Sequence, residues 1–113
     1  MKEIRSWNVE DLAEKYSMMR GNNISMQVLE DGDPIEIEGW LLYEDMDADS
    51  GECKTLLAIR SHGKNYTTIS KTFIREFLEA WDFFADAGET LKRIAVVHGT
   101  SKAGRVYVSC QVR

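Results

Sequence analysis

The chain has 113 residues, enough for one folded domain, and its hydrophobic content of 43% and aromatic content of 10% exclude wholesale disorder. No apolar run approaches the ~20 residues that span a bilayer, and Met1–Asp11 lacks the apolar core of a signal peptide. We therefore expect a cytosolic protein without membrane contact.

The net charge of −5 argues against a nucleic-acid ligand, but the charges are unevenly distributed. Met1–Cys53 contains 4 basic and 14 acidic residues, whereas Lys54–Arg113 contains 10 basic and 5 acidic residues. Within the basic half, Lys54–Ser70 and Leu91–Arg113 contain no carboxylate side chain. Stretches that keep Lys, Arg and Tyr but exclude carboxylates are favoured by a polyanionic ligand with exposed bases.

The first predicted element is a short helix over Asn8–Met19. Asn8 followed by Asp11 is similar to a capping box, and Gly21-Asn22-Asn23 ends the helix. We expect its apolar stripe to dock on the rest of the domain, with a partner as the alternative ligand of this stripe. The stripe consists of Val9, Leu12, Ala13, Tyr16 and Met19.

Two extended segments and an acidic loop follow. Ile24–Leu29 alternates weakly and predicts a strand or an extended arm, closed by the turn sequence Asp31–Pro34. Ile35–Tyr43 predicts one long strand with a bulge or bend at Gly39. Glu44–Glu52 predicts a solvated loop, because the Gly and the distal Glu that a calcium loop requires are out of place.

The segment from Leu57 to Ile69 predicts a first hairpin. A three-residue loop, His62–Lys64, pairs Arg60 with Tyr66 and Leu57 with Ile69. In this register Arg60 and Tyr66 share the exposed face of the hairpin.

A second helix is predicted over Lys71–Ala87, capped by Ser70 or Thr72 and stopped by Gly88. Its apolar residues form one wide stripe that is typical of a core-facing helix, so we expect no ligand role for them. The aromatic members of the stripe are Phe73, Phe77, Trp81 and Phe84.

The chain continues into a second hairpin, with strands over Leu91–His98 and Arg105–Arg113 joined by Gly99–Gly104. Strict alternation in the last strand directs Val108 to the core and Arg105 and Tyr107 outward. Glycines at both ends of the loop allow close approach to a ligand backbone.

The order of a bent strand, a hairpin, a helix and a hairpin is that of an OB fold. We therefore predict a mainly β protein: a five-stranded OB-like barrel with one helix between strands three and four, plus the short N-terminal helix. The 113 residues would form one domain, with the helix and a linker over 1–23 and the barrel over 24–113. Other five-stranded α+β arrangements share this order.

Several segments of the second half carry a family resemblance. Thr72–Phe77, Ile94–Val97 and Gly99–Arg105, with Tyr107 and Cys110, resemble small single-stranded DNA-binding proteins encoded by phages and prophages of Gram-positive bacteria. The resemblance covers Ile35–Arg113, and its most specific part is the loop Gly99–Arg105. It implies an OB barrel that binds single-stranded DNA and protects replication or recombination intermediates. The linker and acidic tip of cellular single-strand binders do not follow Arg113, so we do not expect recruitment of partners through such a tip.

The candidate binding residues are cations and aromatic rings, because single-strand binders combine phosphate contacts with base stacking. Burial in the sheet is the alternative for the rings, and a solvated surface is the alternative for each cation taken singly. The candidates for phosphate contacts are Arg60, Lys64, Lys102 and Arg105; those for stacking are Tyr66 and Tyr107, with Trp40 and Tyr43 in second place.

The sequence lacks the residue patterns of an enzyme, a metal site or a cofactor site. Cys53 and Cys110 are too few for a disulfide framework, and we expect both to be reduced. The expected partner is single-stranded DNA, with no small-molecule substrate; a homodimer or a replication or recombination protein is left open. The alternative function is a protein-interaction module whose acidic face, Glu30–Glu52, binds a basic partner without nucleic-acid activity.

Overall fold

The computed structural model describes all residues, Met1–Arg113, as eight strands, two α-helices and one 3-10 turn. The elements in chain order are β1 (Lys2–Trp7), α1 (Leu12–Arg20), β2 (Ile24–Ser25), the 3-10 turn (Met26–Val28), β3 (Pro34–Glu36), β4 (Gly39–Met46), β5 (Cys53–Ser61), β6 (Lys64–Thr68), α2 (Lys71–Asp86), β7 (Arg93–Thr100) and β8 (Val106–Val112). Neither helix is long and apolar enough to cross a bilayer.

The strands form two sheets that do not close into a barrel. The larger sheet has the order β1-β4-β5-β6-β2, and the smaller one has the order β3-β7-β8. The predicted mainly β class is confirmed, but the arrangement of five strands in one barrel is not what the structure has.

The predicted long strand is divided between the two sheets. β3 pairs antiparallel with β7, whereas β4 pairs antiparallel with β5, so the chain changes sheets at Ile37-Glu38. A bend was predicted at Gly39, which begins β4. A Cβ atom at Gly39 would lie 2.8 Å from Nη2 of Arg60, so glycine allows this arginine to cross the bend.

β4 is buried on both of its faces, which the alternating sequence did not predict. Trp40 and Leu42 face the main core, whereas Leu41 and Tyr43 face a second apolar cluster that contains Met18 of α1. A strand covered on both faces tolerates apolar residues at every position. From Gly39 to Tyr43, β4 therefore has no solvent-exposed face.

The N-terminal region contributes a strand as well as a helix. β1 pairs antiparallel with β4 at the edge of the larger sheet, with Trp7 opposite Trp40 and an irregularity between Glu3 and Arg5. The sequence of β1 is polar and nearly without alternation, so the strand was not predicted. This polar composition suits an edge strand, because charged edges discourage pairing with other chains.

α1 begins four residues later than predicted and buries a different side. Asp11, rather than Asn8, caps the helix by accepting from the backbone N–H of Ala13. The predicted docking of the apolar stripe holds for part of it: Val9 is buried and Met19 packs against the second apolar cluster, whereas Leu12 and Tyr16 are 80% and 63% exposed. Met18, which was not in the predicted stripe, is the buried residue of the helix.

The register predicted for the first hairpin is wrong by one residue. The turn is His62-Gly63 alone, so Ser61 pairs with Lys64 and Ile59 pairs with Tyr66. Both turn residues have positive φ, 49° and 74°, as a two-residue type I′ turn requires. A one-residue shift exchanges the faces of a strand, and Tyr66 consequently points to the main core.

α2 confirms the prediction for the second helix. Ser70 caps it by accepting from the N–H of Phe73, and Gly88 follows its last turn with φ of 78°. Its aromatic stripe is core as predicted, with the rings of Phe77 and Trp81 each 5.4 Å from that of Trp40.

α2 also covers the outer edge of β8. Ser70 Oγ donates to the carbonyl of Val108, while the Glu76 carboxylate accepts from the Cys110 N–H and from Ser109 Oγ. These bonds satisfy backbone groups that an uncovered edge strand would leave open.

The segment Ile24–Val28 lies between the two sheets. β2 pairs parallel with β6, and the following 3-10 turn contacts both β6 and β8. Its Met26 is fully buried in the main core. This short segment therefore lies between β6 and β8, at the place where these two strands would have to pair to close a barrel.

Candidate nucleic-acid interface

Five of the 14 Lys and Arg residues form salt bridges, which leaves nine without an acidic partner. The paired ones are Arg5, Lys15, Arg20, Arg60 and Arg93. The unpaired ones are Lys2, Lys54, Lys64, Lys71, Arg75, Lys92, Lys102, Arg105 and Arg113.

The acidic half of the chain supplies carboxylates to the two hairpins that have none of their own. Glu14 pairs with Arg60, and Glu36 Oε1 lies 2.7 Å from Nε of Arg93. Asp31 Oδ1 lies 2.5 Å from Nδ1 of His98. Some of the positive charges on the two hairpins are thus neutralised by carboxylates that are distant in sequence. The local composition of the hairpins does not reveal these ion pairs.

Arg60 is held too firmly to be a free phosphate ligand. Its Nη2 donates to the carbonyls of Asn8 and Glu38, at 3.1 and 3.2 Å, in addition to the ion pair with Glu14. Its side chain is 21% exposed. Arg60 therefore joins α1, β5 and the bend before β4, a role that the sequence prediction did not include.

Three aromatic candidates lack a free ring in the structure. Trp40 is fully buried, with the Arg5 guanidinium 5.5 Å from its ring centroid. Tyr43 is 2% exposed beneath α1, and burial, followed by the nearby Asp45, raises its pKa. Tyr66 is half-buried against the main core. These three residues were expected to offer open stacking surfaces, and the structure does not show them. Trp40 and Tyr43 are covered because β4 is buried on both faces, and Tyr66 is covered because of the register of the first hairpin.

The remaining candidates are exposed. Lys64 follows the turn of the first hairpin, and Lys102 and Arg105 lie in the loop between β7 and β8. Tyr107 in β8 is 36% exposed. None of the three cations has a carboxylate partner. These four residues are therefore accessible to a ligand, and their role in DNA binding stays a prediction.

Tyr107 lies over Gly99, its opposite residue in the β7–β8 pair. A Cβ atom at Gly99 would come within 2.6 Å of the ring, so the missing side chain makes room for it. The loop beside the ring is ordered by Ser101, whose N–H donates to the carbonyl of Arg105 at 2.8 Å and whose Oγ accepts from the Arg105 N–H. We call Lys102, Arg105 and Tyr107 the tip patch.

A second group of unpaired cations was missed from the sequence. Lys54, Lys71 and Arg75 line an open groove of about 680 Å³ between the start of β5 and the N-terminal half of α2. We call it the basic groove; its other lining residues are Cys53, Thr55, Ile69, Ile74 and Leu78. It contains neither a carboxylate nor an aromatic ring. The spacing of Lys71 and Arg75, which puts both on one helix face, was an available signal.

Both cysteines are free, and Cys53 is exposed. Burial, followed by the nearby Glu76, raises the pKa of the Cys110 thiol to about 12, so this thiol stays protonated at neutral pH. Cys110 accordingly behaves as a small, partly buried apolar residue that packs against the main core.

One comparison with known proteins identifies a family. The family model described as phage single-stranded DNA-binding protein, of the Phi29 type, matches residues 6–113. No curated protein and no solved structure gives a significant match.

Proposed function

The chain belongs to the family of phage single-stranded DNA-binding proteins, and on this premise we propose that it coats single-stranded DNA with little sequence preference. The proposed role is protection of replication or recombination intermediates in the cytoplasm of the host cell. The family is one of non-catalytic DNA-binding proteins, which is consistent with the prediction that the chain is not an enzyme.

The observation that carries the proposal is the family match over nearly the whole chain, from residue 6 to residue 113. The tip patch supports a binding mechanism. Its Tyr107 offers a partly exposed plane on which a base stacks, while Lys102 and Arg105 neutralise phosphates without competition from a bound carboxylate. Lys64 is a further candidate for a phosphate contact because it is exposed and unpaired.

An OB-like arrangement is part of the proposal. Support comes from β3 and β4, which act as one bent strand shared by the two sheets, and from the order of the following hairpin, helix and hairpin. In OB folds the loop between the last two strands receives oligonucleotides, and the tip patch lies in and beside that loop.

The discriminating experiment compares a labelled single-stranded oligonucleotide of mixed sequence with the corresponding duplex by fluorescence anisotropy. We expect tighter binding to the single strand, because a flexible strand presents its bases to a ring whereas a duplex keeps them stacked. An oligothymidylate of equal length should bind about as tightly as the mixed sequence. Equal or tighter binding of the duplex would contradict the proposal.

The alternative of an acidic protein-interaction module is less well supported. Several carboxylates of the expected acidic face already bind within the chain, with Asp31, Glu36 and Asp45 paired to His98, Arg93 and Arg20. Those carboxylates are correspondingly less available to a basic partner.

A further inference from the structure

The basic groove shares no residue with the tip patch and is not used by the proposed stacking mechanism. All three of its cations are exposed, and none has an acidic partner within the chain. The protein has 19 acidic residues, so a groove that collects three cations and no carboxylate is a marked departure from its composition. We propose that the basic groove binds the phosphodiester backbone of single-stranded DNA as a second contact surface.

Two of the cations stand where they do not help the fold. Lys71 is the first residue of α2 and Arg75 follows one turn later, while the first turn of the helix contains no acidic residue. Positive charges near a helix N-terminus interact unfavourably with the helix dipole. A bound polyanion reverses this balance, because its phosphates neutralise both side chains.

Lys54 contributes less than the pair on α2. It lies at the border between the basic groove and the acidic loop. The pKa of Asp47 in that loop is lowered mainly by hydrogen bonds from the backbone N–H groups of Asp49 and Ser50, and the charge of Lys54 is a smaller further cause. The charge of Lys54 is therefore already partly compensated. The proposal depends on Lys71 and Arg75.

The lining of the basic groove favours a backbone ligand over stacked bases. The basic groove has no aromatic ring on which a base could stack. Its aliphatic side chains, from Ile69, Ile74 and Leu78, form a surface against which sugars pack. Lys binds phosphate as a point charge and Arg binds it with a planar fork, so the pair needs no particular sequence in the strand. In the proposed arrangement, bases therefore stack at the tip patch and phosphates bind in the basic groove.

This inference rests on the proposed function, and the experiment separates the two. Oligothymidylates of about 4 to 16 nucleotides, the range of site sizes for one OB fold, are titrated against the wild type and against a double variant, Lys71→Gln with Arg75→Gln. The matched control is Lys2→Gln with Lys92→Gln, which removes the same charge from two other exposed, unpaired positions.

We expect the wild type to gain affinity with oligonucleotide length as the strand reaches both surfaces. In the groove variant this gain with length should be lost, and the slope of log K against log salt on the longest strand should fall by about 1.4, which is about 0.7 for each of two phosphate contacts. The control variant should keep both the gain and the slope. The control variant should keep the thermal midpoint of the wild type, because its two altered side chains are exposed. The groove variant should unfold at the same temperature or at a slightly higher one, because it loses two positive charges near the N-terminus of α2.

The inference would be overturned if the groove variant matched the wild type in both length dependence and salt slope. It would likewise be overturned if the variant kept its DNA binding but lost binding to poly-glutamate, because the groove would then recognise acidic peptides. Absence of binding to every strand by the wild type would instead contradict the proposed function itself.

Discussion

The contact between Gly99 and Tyr107 gives a sharp test of the tip patch. A Cβ atom at Gly99 would lie 2.6 Å from Cζ and 2.7 Å from Oη of Tyr107. Non-bonded carbon atoms prefer separations of about 3.5 to 4.0 Å, so Gly99→Ala must move the ring by about 1 Å. Gly99 is not among the glycines with positive φ, and alanine is therefore compatible with its backbone. The substitution displaces the ring without deleting it.

Stacking of a base on an aromatic side chain contributes about 1 to 3 kcal/mol, equivalent to a loss of about 5- to 150-fold in affinity when the ring is removed. We expect Tyr107→Ala to weaken binding of a single-stranded oligonucleotide within this range and Tyr107→Phe to bind like the wild type. Gly99→Ala should fall between the two. Because Tyr107 is already 36% exposed, its truncation should lower the free energy of unfolding by only about 1 kcal/mol.

Anisotropy titrations at one fixed salt concentration measure these affinities, with thermal unfolding as the check on folding. Tyr16→Ala is the matched control, since it removes an exposed tyrosine from α1, away from the β7–β8 hairpin. If Tyr107→Ala and Gly99→Ala both bind like the wild type, then Tyr107 only covers the sheet and the stacking surface lies elsewhere. Loss of binding in the Tyr16 variant to the same extent would also refute a specific platform at the tip patch.

Three further predictions concern the framework around the site. Both ring nitrogens of His98 face acceptors, Asp31 Oδ1 and the carbonyl of Gln27, and the hydrogen bond to Asp31 is the main cause that raises the pKa of His98. Its stabilising contribution should therefore be complete below pH ~6.5 and disappear as pH rises through the raised pKa, so thermal midpoints measured from pH 5 to 9 should fall in the wild type more than in His98→Gln. Tyr66→Ala should lower the free energy of unfolding by about 2 kcal/mol, measured with urea, because half-burial removes part of the usual cost of aromatic truncation, and a loss of DNA binding without destabilisation would contradict the observed register. Arg60→Ala should destabilise by about 1 to 3 kcal/mol because the carbonyls of Asn8 and Glu38 lose a donor, and an unchanged denaturation midpoint would show that this arginine is not a structural link.

The parts of the fold that could be predicted are those whose sequence is locally consistent. α2 has a cap at Ser70, a regular apolar stripe and Gly88 at its end, and each signal points to the same boundaries. Alternation in the last strand correctly predicts the burial of Val108, although Val106 and Val112 on the same face are 61% and 45% exposed. When the capping residue, the spacing of the apolar residues and the terminating glycine all agree, few alternative structures compete for such a segment.

The elements that could not be predicted depend on tertiary contacts. β1 has no apolar period, and it is defined by pairing with β4. α1 has a weak apolar pattern, so docking on Leu41 and Tyr43, rather than its own stripe, decides which side is buried. Both errors have the same cause. The sequence does not show that the second face of β4 is buried, because this burial depends on how β1 and α1 pack against β4.

The largest error in the predicted binding site comes from the turn of the first hairpin. A His-Gly turn and a three-residue loop differ by one residue, yet the difference moves Tyr66 from an exposed face beside Arg60 to the core. The predicted loop Gly99–Gly104 is shorter in the structure, because Gly99 and Thr100 belong to β7 and pair with Tyr107 and Val106. Lys102 and Arg105 are nevertheless exposed at the end of this hairpin, without an acidic partner.

The distribution of charge bounds how strongly salt can affect binding. Although the second half of the chain has an excess of five positive charges, ion pairs to the acidic half already engage Arg60 and Arg93. A strand that meets only the tip patch gains two phosphate contacts, from Lys102 and Arg105, whereas one that also enters the basic groove gains about four. At about 0.7 per contact, the slope of log K against log salt should lie near 1.4 in magnitude for short strands and near 2.8 for long ones. In the proposed arrangement, an acidic protein with pI near 5.0 binds a polyanion through two local surfaces that contain no carboxylate.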